Sequence, residues 1–300
     1  MEYLDENKPV NQIQPVVSIC VQTYQHSKYI RDCLNGILLQ QTGFSYEIVL
    51  GEDESTDGTR EICREYAERH PDKIRLFLRS RKYVIYINGN PTGRFNFMEN
   101  YKAARGKYIA LCDGDDYWTD PNKLQKQVEF LEANPDFSIC FHQAKVISDD
   151  GKNYYYNKYH GNTIFTTKDI IINNFIPTSS CVFRKKINQL PDWFCKIGVA
   201  DWPLHILNSE YGKIFFIDGC MSVYRVHSGG LWSSMSYKEK IIRSVDLRYE
   251  LDKAFAYKYH KELEKDIKEF SKKLDFNNNP KRLITSIRKF ILTFISEITR

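Results

Sequence analysis

The run Tyr108-Ile109-Ala110-Leu111-Cys112 followed by Asp113-Gly114-Asp115-Asp116 decides how this chain reads: an uncharged apolar stretch halts in three carboxylates over four positions. Entered through Arg105-Gly106-Lys107, a run of that length has the pattern of a strand buried on both faces. Its acids then lie in the crevice at the strand's C-terminal end, where open α/β sheets bind ligands. Like charges this close raise one another's pKa unless a cation or proton joins them. The pattern predicts a divalent metal with oxygen ligands and, on that metal, a phosphate.

Outward from this run, short apolar stretches alternate with amphipathic ones. Strands are predicted at 16–21, 47–50, 74–78 and 108–112, and helices at 28–41, 58–70, 95–105 and 122–133. That βαβαβαβ series predicts an α/β fold with a mostly parallel, twisted sheet and helices on both faces. A strand at 137–142 and a tyrosine-rich hairpin or loop over 154–159 come next. A helix at 201–211 and two strands, 214–217 and 221–226, return to the core. From about Tyr237 the composition shifts to Lys and Glu at helical spacing, predicting a helical C-terminal extension over 237–300 after a main domain over 1–236. Within it, Leu283, Ile284, Ile287, Phe290, Ile291, Phe294, Ile295 and Ile298 draw one apolar stripe beside Lys281, Arg282, Arg288 and Lys289. Such a stripe fits an anionic membrane surface, its own domain or a second copy.

A net charge of +5 over 300 residues lacks the dense basic stripe of a nucleic-acid binder, so nucleic acid is excluded as the first partner. The abundant tyrosines and phenylalanines read first as packing, with stacking on sugars or bases as the alternative. The eight cysteines contain no C-x-x-C pair, and several sit inside strand-like runs; they read as buried free thiols rather than a disulfide frame or zinc site. Residues 1–14 are polar and acidic, and no window resembles a membrane span. These features predict a cytoplasmic chain.

The second predicted strand ends in Gly51-Glu52-Asp53-Glu54-Ser55-Thr56-Asp57-Gly58-Thr59. Asp53, Ser55, Asp57 and Gly58 open like a calcium loop, but the position that needs a bidentate Glu is Arg64, so the EF-hand reading fails. The alternative is a strand-to-helix turn presenting acids and hydroxyls at the same sheet edge as Asp113 and Asp115, joined there by Gln22-Thr23-Tyr24. Neither G-x-G-x-x-G nor G-x-x-x-x-G-K-[ST] occurs, which removes the dinucleotide and P-loop readings. A sugar nucleotidyltransferase would want a basic, glycine-rich loop within residues 16–30, where there is none.

Val17-Ser18-Ile19-Cys20-Val21-Gln22-Thr23-Tyr24, the Glu52-Asp53-x-Ser55-Thr56-Asp57-Gly58 turn and the Asp113-Gly114-Asp115-Asp116 cluster, in this order, resemble family-2 glycosyltransferases of the GT-A fold over roughly residues 15–230. The resemblance implies a metal-dependent, inverting transfer of sugar from a nucleotide-diphosphate sugar, a UDP-sugar first among them, to an acceptor hydroxyl. It implies a nucleotide-sugar half over about 15–116 and an acceptor half over about 117–236. Thr23, Tyr24, Glu52 and Asp53 then meet base and ribose, with Glu52 standing where many relatives carry Asp. Asp113 meets the ribose, and Asp115, with Asp113, the Mn2+ or Mg2+ that bridges the phosphates.

Arg94 matches a basic position over the base or diphosphate; it reads equally as a solvated charge at a helix start. Asp201, in Gly198-Val199-Ala200-Asp201-Trp202-Pro203, matches the catalytic base, although Ala200 replaces the first acid of the usual pair; its alternative is an N-cap. Trp202 offers a platform for a sugar face, and His227, opening a glycine-rich loop, a contact to metal or diphosphate. By analogy the acceptor is a glycan or lipid-linked glycan of a bacterial capsule or O-antigen, assembled at the inner face of a membrane. A non-catalytic scaffold on the same fold is the reading from another class.

Overall fold

The computed structural model describes residues 2–4, 7–157, 159–229 and 235–275. The chain divides into two compact units, 1–233 and 234–300. In the first, strands and helices run β1 (Val17–Thr23), α1 (Ile30–Leu38), β2 (Tyr46–Glu52), α2 (Thr59–Arg69), β3 (Ile74–Leu78), β4 (Ile85–Ile87), β5 (Asn90–Thr92), α3 (Arg94–Ala103), β6 (Tyr108–Leu111) and β7 (Tyr117–Trp118). They continue as α4 (Lys123–Ala133), β8 (Phe137–Ser148), β9 (Asn153–Tyr155), β10 (Thr163–Phe165), α5 (Thr167–Ile172), β11 (Val182–Arg184), α6 (Asp201–Ser209) and β12 (Lys213–Val226).

The main sheet has the order β10-β12-β8-β11-β6-β1-β2-β3, with β7 on β12 and β9 on β8. The β6-β1-β2-β3 block is parallel, as βαβ connections require. β1, β2 and β6 are buried almost throughout because helices cover both faces, which is why their sequences are near-continuous apolar runs. The short β11 runs antiparallel between β6 and β8, so the sheet is mixed where it turns toward its second half. β3, β4, β5, β9, β10 and β11 are three to five residues each, and all but β3 are too short for alternation to announce them.

The two strands expected at 214–217 and 221–226 are one, β12. It pairs with β8 and shifts register between Phe216 and Cys220 and again before Ser222. Gly219, at φ 134°, takes up the bend in a conformation that a side chain would resist. The tyrosine-rich segment begins as a hairpin, β9 lying antiparallel on β8.

Two polar anchors fix the sheet. At its carboxyl edge, buried Asn96 and Asn100 of α3 donate side-chain amides to Gly51 O (2.8 Å) and Val21 O (2.9 Å) and lock the helix against β1 and β2. At the opposite edge, Glu47 is fully buried. It accepts from Ser18 Oγ (2.6 Å), Arg105 N (2.9 Å) and Arg105 Nη2 (2.6 Å), with Arg75 Nη1 at 3.3 Å. None of the eight cysteines forms a disulfide; six are buried.

The second unit contains α7 (Tyr237–Ala254), opened by a Ser236/Glu239 capping box, and α8 (His260–Asp275). They pair through the Arg248–Asp266 ion pair. The amphipathic stripe over 283–298 lies outside the described residues. Among the described residues no helix is long and apolar enough to cross a membrane.

Removing one partner from a buried ionic cluster leaves the others uncompensated. Glu47→Ala is therefore expected to lower unfolding stability by about 3–5 kcal/mol, read as a fall in the urea midpoint.

Candidate active site

β6 delivers the acidic loop to the carboxyl edge of the sheet. Gly114 N donates to Gln22 O (2.9 Å) and Asp116 N to Asp113 O (2.9 Å), closing a tight turn against the end of β1. A Cβ at Gly114 would lie 2.6 Å from Thr23 Oγ1 and 2.9 Å from His26 Nδ1, so only glycine lets the two loops approach. The three acids meet three environments. Burial, then the charges of Asp115 and Asp201, push Asp113 up to about 8. Burial followed by its two acidic neighbours raises Asp116 well above the carboxylate range, although its Oδ1 accepts from Arg225 N at 2.9 Å. Asp115 is also desolvated, yet the His227 hydrogen bond and the His26 charge bring it below its ordinary value.

His227 Nε2 lies 3.0 Å and His26 Nε2 3.9 Å from Asp115 Oδ2. The donor atoms of His26, Asp115 and His227 all fall within 4.8 Å of one another. Two of the three expected metal residues, Asp115 and His227, thus come together, while Asp113 is not part of this donor cluster and His26 takes the third place. His26 was not singled out by its sequence, since the loop after β1 carries no ligand spacing. The signal available was its place three residues beyond Thr23 at a ligand-binding sheet edge.

The turn after β2 holds that histidine in position. Ser55 Oγ accepts from Gln25 N (2.9 Å), Thr59 Oγ1 from His26 N (2.8 Å) and Asp57 Oδ2 from Ser27 N (3.0 Å). Gln25 sits in the left-handed region at φ 56°, turning these N–H groups toward the acceptors. Asp57 is brought down to about 2: desolvation works upward and is outweighed by the bonds from Thr59 and Ser27. The hydroxyls and the acid of this turn therefore support the neighbouring loop.

Thr23 is buried, its Oγ1 3.3 Å from His26 Nδ1. Tyr24 is exposed on the rim, with the Arg81 guanidinium 4.1 Å from its ring centre, and Arg81 Nη1 donates to Asp53 Oδ2 at 2.8 Å. Tyr24, Arg81 and Asp53 thus form one shelf; Arg81 opens a 3-10 turn, Arg81–Tyr83, too short for periodicity to describe. Glu52 departs from its expected place against a base. Its carboxylate is fully buried, accepts from Ser55 N at 2.7 Å and pairs with Arg60, so it shapes the turn from beneath.

Arg94 is neither solvated nor on the rim. Buried at the start of α3, it donates from Nη2 to Ile197 O (2.7 Å) and lies over the Phe194 ring, tying α3 to the segment that leads into α6. Asp201 is the first residue of α6; its Oδ2 accepts from Asn174 Nδ2 at 2.7 Å, and its charge acts on Asp113. Trp202 corrects an expectation. It is buried with Nε1 donating to Ile170 O at 2.6 Å, because helical rotation turns it into the α5–α6 interface, and it offers no face to a sugar.

A family model described as Glycosyl transferase family 2 matches residues 18–191. An uncharacterized protein of Mycobacterium tuberculosis (strain ATCC 25618 / H37Rv) is 37% identical over 219 residues, 73% of this chain and 61% of that protein, so the chain spans less than two thirds of that relative. The putative teichuronic acid biosynthesis glycosyltransferase TuaG of Bacillus subtilis (strain 168) is 26% identical over 226 residues, 74% of this chain and 83% of that one. Among solved structures, Staphylococcus aureus TarS 1–349 in complex with UDP-GlcNAc superposes with a TM-score of 0.54 at 18% identity, covering 78% of this chain and 66% of that one. The mannosyltransferase PcManGT of Pyrobaculum calidifontis, in complex with GDP-Man and Mn2+, gives 0.52 at 15% identity over 96% and 82% of the two chains. At these identities the structural likeness carries the fold: an α/β domain with a twisted central sheet flanked by helices.

His205, one turn beyond Asp201 on α6, is fully buried, and neither ring nitrogen has a hydrogen-bond partner among the described residues. Desolvation, opposed by the Asp201 charge, pushes it down to about 4. The folded value lies below the unfolded value of about 6.5, so the unfolded chain binds more protons between the two. The contribution of His205 to stability is expected to be complete above about pH 6.5 and to fall by roughly 3 kcal/mol as pH drops toward 4. In urea titrations across this range, His205→Phe should show a shallower loss than the parent chain.

Proposed function

The chain belongs to glycosyl transferase family 2, and from that membership we propose that it transfers a sugar from a nucleotide-diphosphate sugar to an acceptor hydroxyl with the help of a divalent cation. The observation that carries this reading is the meeting of His26, Asp115 and His227 at the carboxyl edge of the sheet, in a cleft where the charge of Asp201 acts on Asp113. The donor set fits a divalent cation: one carboxylate, a ligand suited to manganese, converges with two imidazoles, which suit transition metals generally. Burial first, and the charges of Asp115 and Asp201 second, raise Asp113, so a cation beside it would be welcome. A bound Mn2+ or Mg2+ would neutralise charge on the departing diphosphate.

The chain's own groups divide the remaining work. Asp113 receives the ribose, and the Tyr24–Arg81–Asp53 shelf receives the base, with Thr23 behind it. Asp201, oriented by Asn174, removes the proton from the acceptor hydroxyl as that oxygen bonds to the anomeric carbon and the bond to the diphosphate breaks. A single displacement of this kind inverts the anomeric centre. Glu52 and Arg94 act through the turn and loop they hold. TarS was solved with a UDP-sugar and PcManGT with a GDP-sugar; we take a UDP-sugar as the first donor to test. The name of the TuaG relative favours a surface polysaccharide, and such glycans grow on lipid at the inner face of a membrane, where the basic amphipathic segment over 281–298 could find its surface.

General-base assistance is worth roughly 10² to 10⁴ in rate. Asp201→Asn is expected to cut release of nucleotide diphosphate by that range while donor affinity holds; transfer at the parent rate would reject the role of Asp201. Asp115→Asn should abolish the gain in UDP affinity that manganese brings, measured by titration calorimetry with and without the ion. An undiminished gain would remove Asp115 from the metal site.

A further inference from the structure

With Trp202 in the core, the acceptor side of the cleft needs another surface, and the tyrosine-rich segment supplies one. Tyr159 turns inward, its ring 5.0 Å from Phe165 and 5.4 Å from Phe216. Tyr156 turns the other way and meets Tyr224 of β12 edge to face, with ring centres 6.0 Å apart at 85°. Tyr156 still exposes 39% of its surface. Its backbone N–H donates to Ala144 O (2.9 Å), and the next carbonyl, of Asn157, accepts from Gln143 Nε2 (2.7 Å), so the backbone that carries this exposed ring is pinned to β8 on both sides. Fixing an aromatic face in advance lowers the entropy lost when something stacks on it.

The pair also adjoins the chemistry: Arg225, the residue after Tyr224 on β12, donates its backbone N–H to Asp116 Oδ1 at 2.9 Å. The charge of Asp201 acts on both phenols, and those of Asp116 and Asp115 act on Tyr224. Desolvation first and these acids second push Tyr156 up to about 12 and raise Tyr224 further above its ordinary value, so both hydroxyls stay protonated and neutral. The corner therefore offers a ring face, two neutral hydroxyls and a nearby carboxylate. A pyranose matches it, with C–H bonds on one face and hydroxyls at its rim. A phosphate or uronate does not, because the Asp201 carboxylate whose charge reaches both phenols would repel it.

We propose that Tyr156 and Tyr224 form the subsite for a neutral pyranose at the growing end of the acceptor, holding its hydroxyl toward Asp201. The proposal rests on the transferase reading and narrows the acceptor to a glycan that ends in an uncharged sugar.

Saturation-transfer NMR on the full chain with Mn2+ and UDP, against methyl glucoside, galactoside, mannoside and N-acetylglucosaminide with methyl glucuronide beside them, tests it. At least one neutral pyranoside is expected to bind and the glucuronide to bind more weakly. Stacking of this kind is worth about tenfold in affinity. Tyr156→Ala should lose about that factor, Tyr156→Phe should retain most of the binding, and UDP affinity by calorimetry should be the same in both variants and the parent. A parent chain that binds UDP but no neutral pyranoside overturns the subsite and leaves the transferase reading standing. Binding that survives Tyr156→Ala, or a glucuronide that binds as well as the neutral sugars, also overturns it. Pyranoside binding lost with Tyr156→Ala, in a chain indifferent to UDP with or without manganese, would keep the subsite and overturn the transferase reading.

Discussion

Negative charge crowded at one edge of a buried sheet is the constraint to which the rest of this structure answers. Asp113, Asp115 and Asp116 are brought together by a strand that cannot end anywhere else, since β6 is buried along its whole length between β1 and β11. Each carboxylate is relieved differently. Two imidazoles face Asp115, a backbone N–H of β12 meets Asp116, and Asp113 drifts toward its neutral form. A site in which one acid is compensated by ligating side chains and another is left short of positive charge is prepared for a cation and an anionic ligand together.

That preparation depends on groups that do no chemistry themselves. Arg225 connects the acidic loop to two more elements: its guanidinium donates to Asp115 O (3.0 Å) and Asp32 (2.5 Å) and lies over the ring of Tyr117. The Ser55-Thr56-Asp57-Gly58-Thr59 turn, whose acids and hydroxyls look like ligands on paper, satisfies the backbone of the loop that carries His26. Polar residues at a sheet edge can serve either a ligand or a neighbouring loop; here buried Ser55 and Thr59 and exposed Asp57 all take N–H groups of the loop after β1.

The two faces of α6 show the same competition at closer range. Asp201 and Trp202 are consecutive, and helical geometry sends them about 100° apart, one toward the acids of the cleft and the other into the packing against α5. His205, one turn beyond Asp201 on the same side of the helix, is fully buried and held neutral there. A single helix thus offers one carboxylate to the cleft, and the aromatic surface beside it comes from β12 and the segment after β9.

How much of this was legible depends on the range of the interactions involved. The alternation of buried strands and amphipathic helices, the acids at the end of β6, the turn after β2 and the position of Asp201 at a helix start are local, written in spacing and in the places where apolar runs stop. The resemblance carried by those motifs pointed to the same family that residues 18–191 match. The parts that sequence left open or misplaced are those where two distant segments compete for one partner. These are His26 beside Asp115, Glu52 drawn under its own turn by Arg60, Arg94 bonded to Ile197, Trp202 buried on Ile170, and the single bent β12 in place of two strands. By itself the sequence determined which elements form and that acids line their carboxyl ends, because backbone periodicity and hydrophobic patterning act over a few residues. Which of those polar groups face the cleft was decided only when the chain closed on itself, because desolvation and hydrogen-bond saturation depend on neighbours up to a hundred residues and more away.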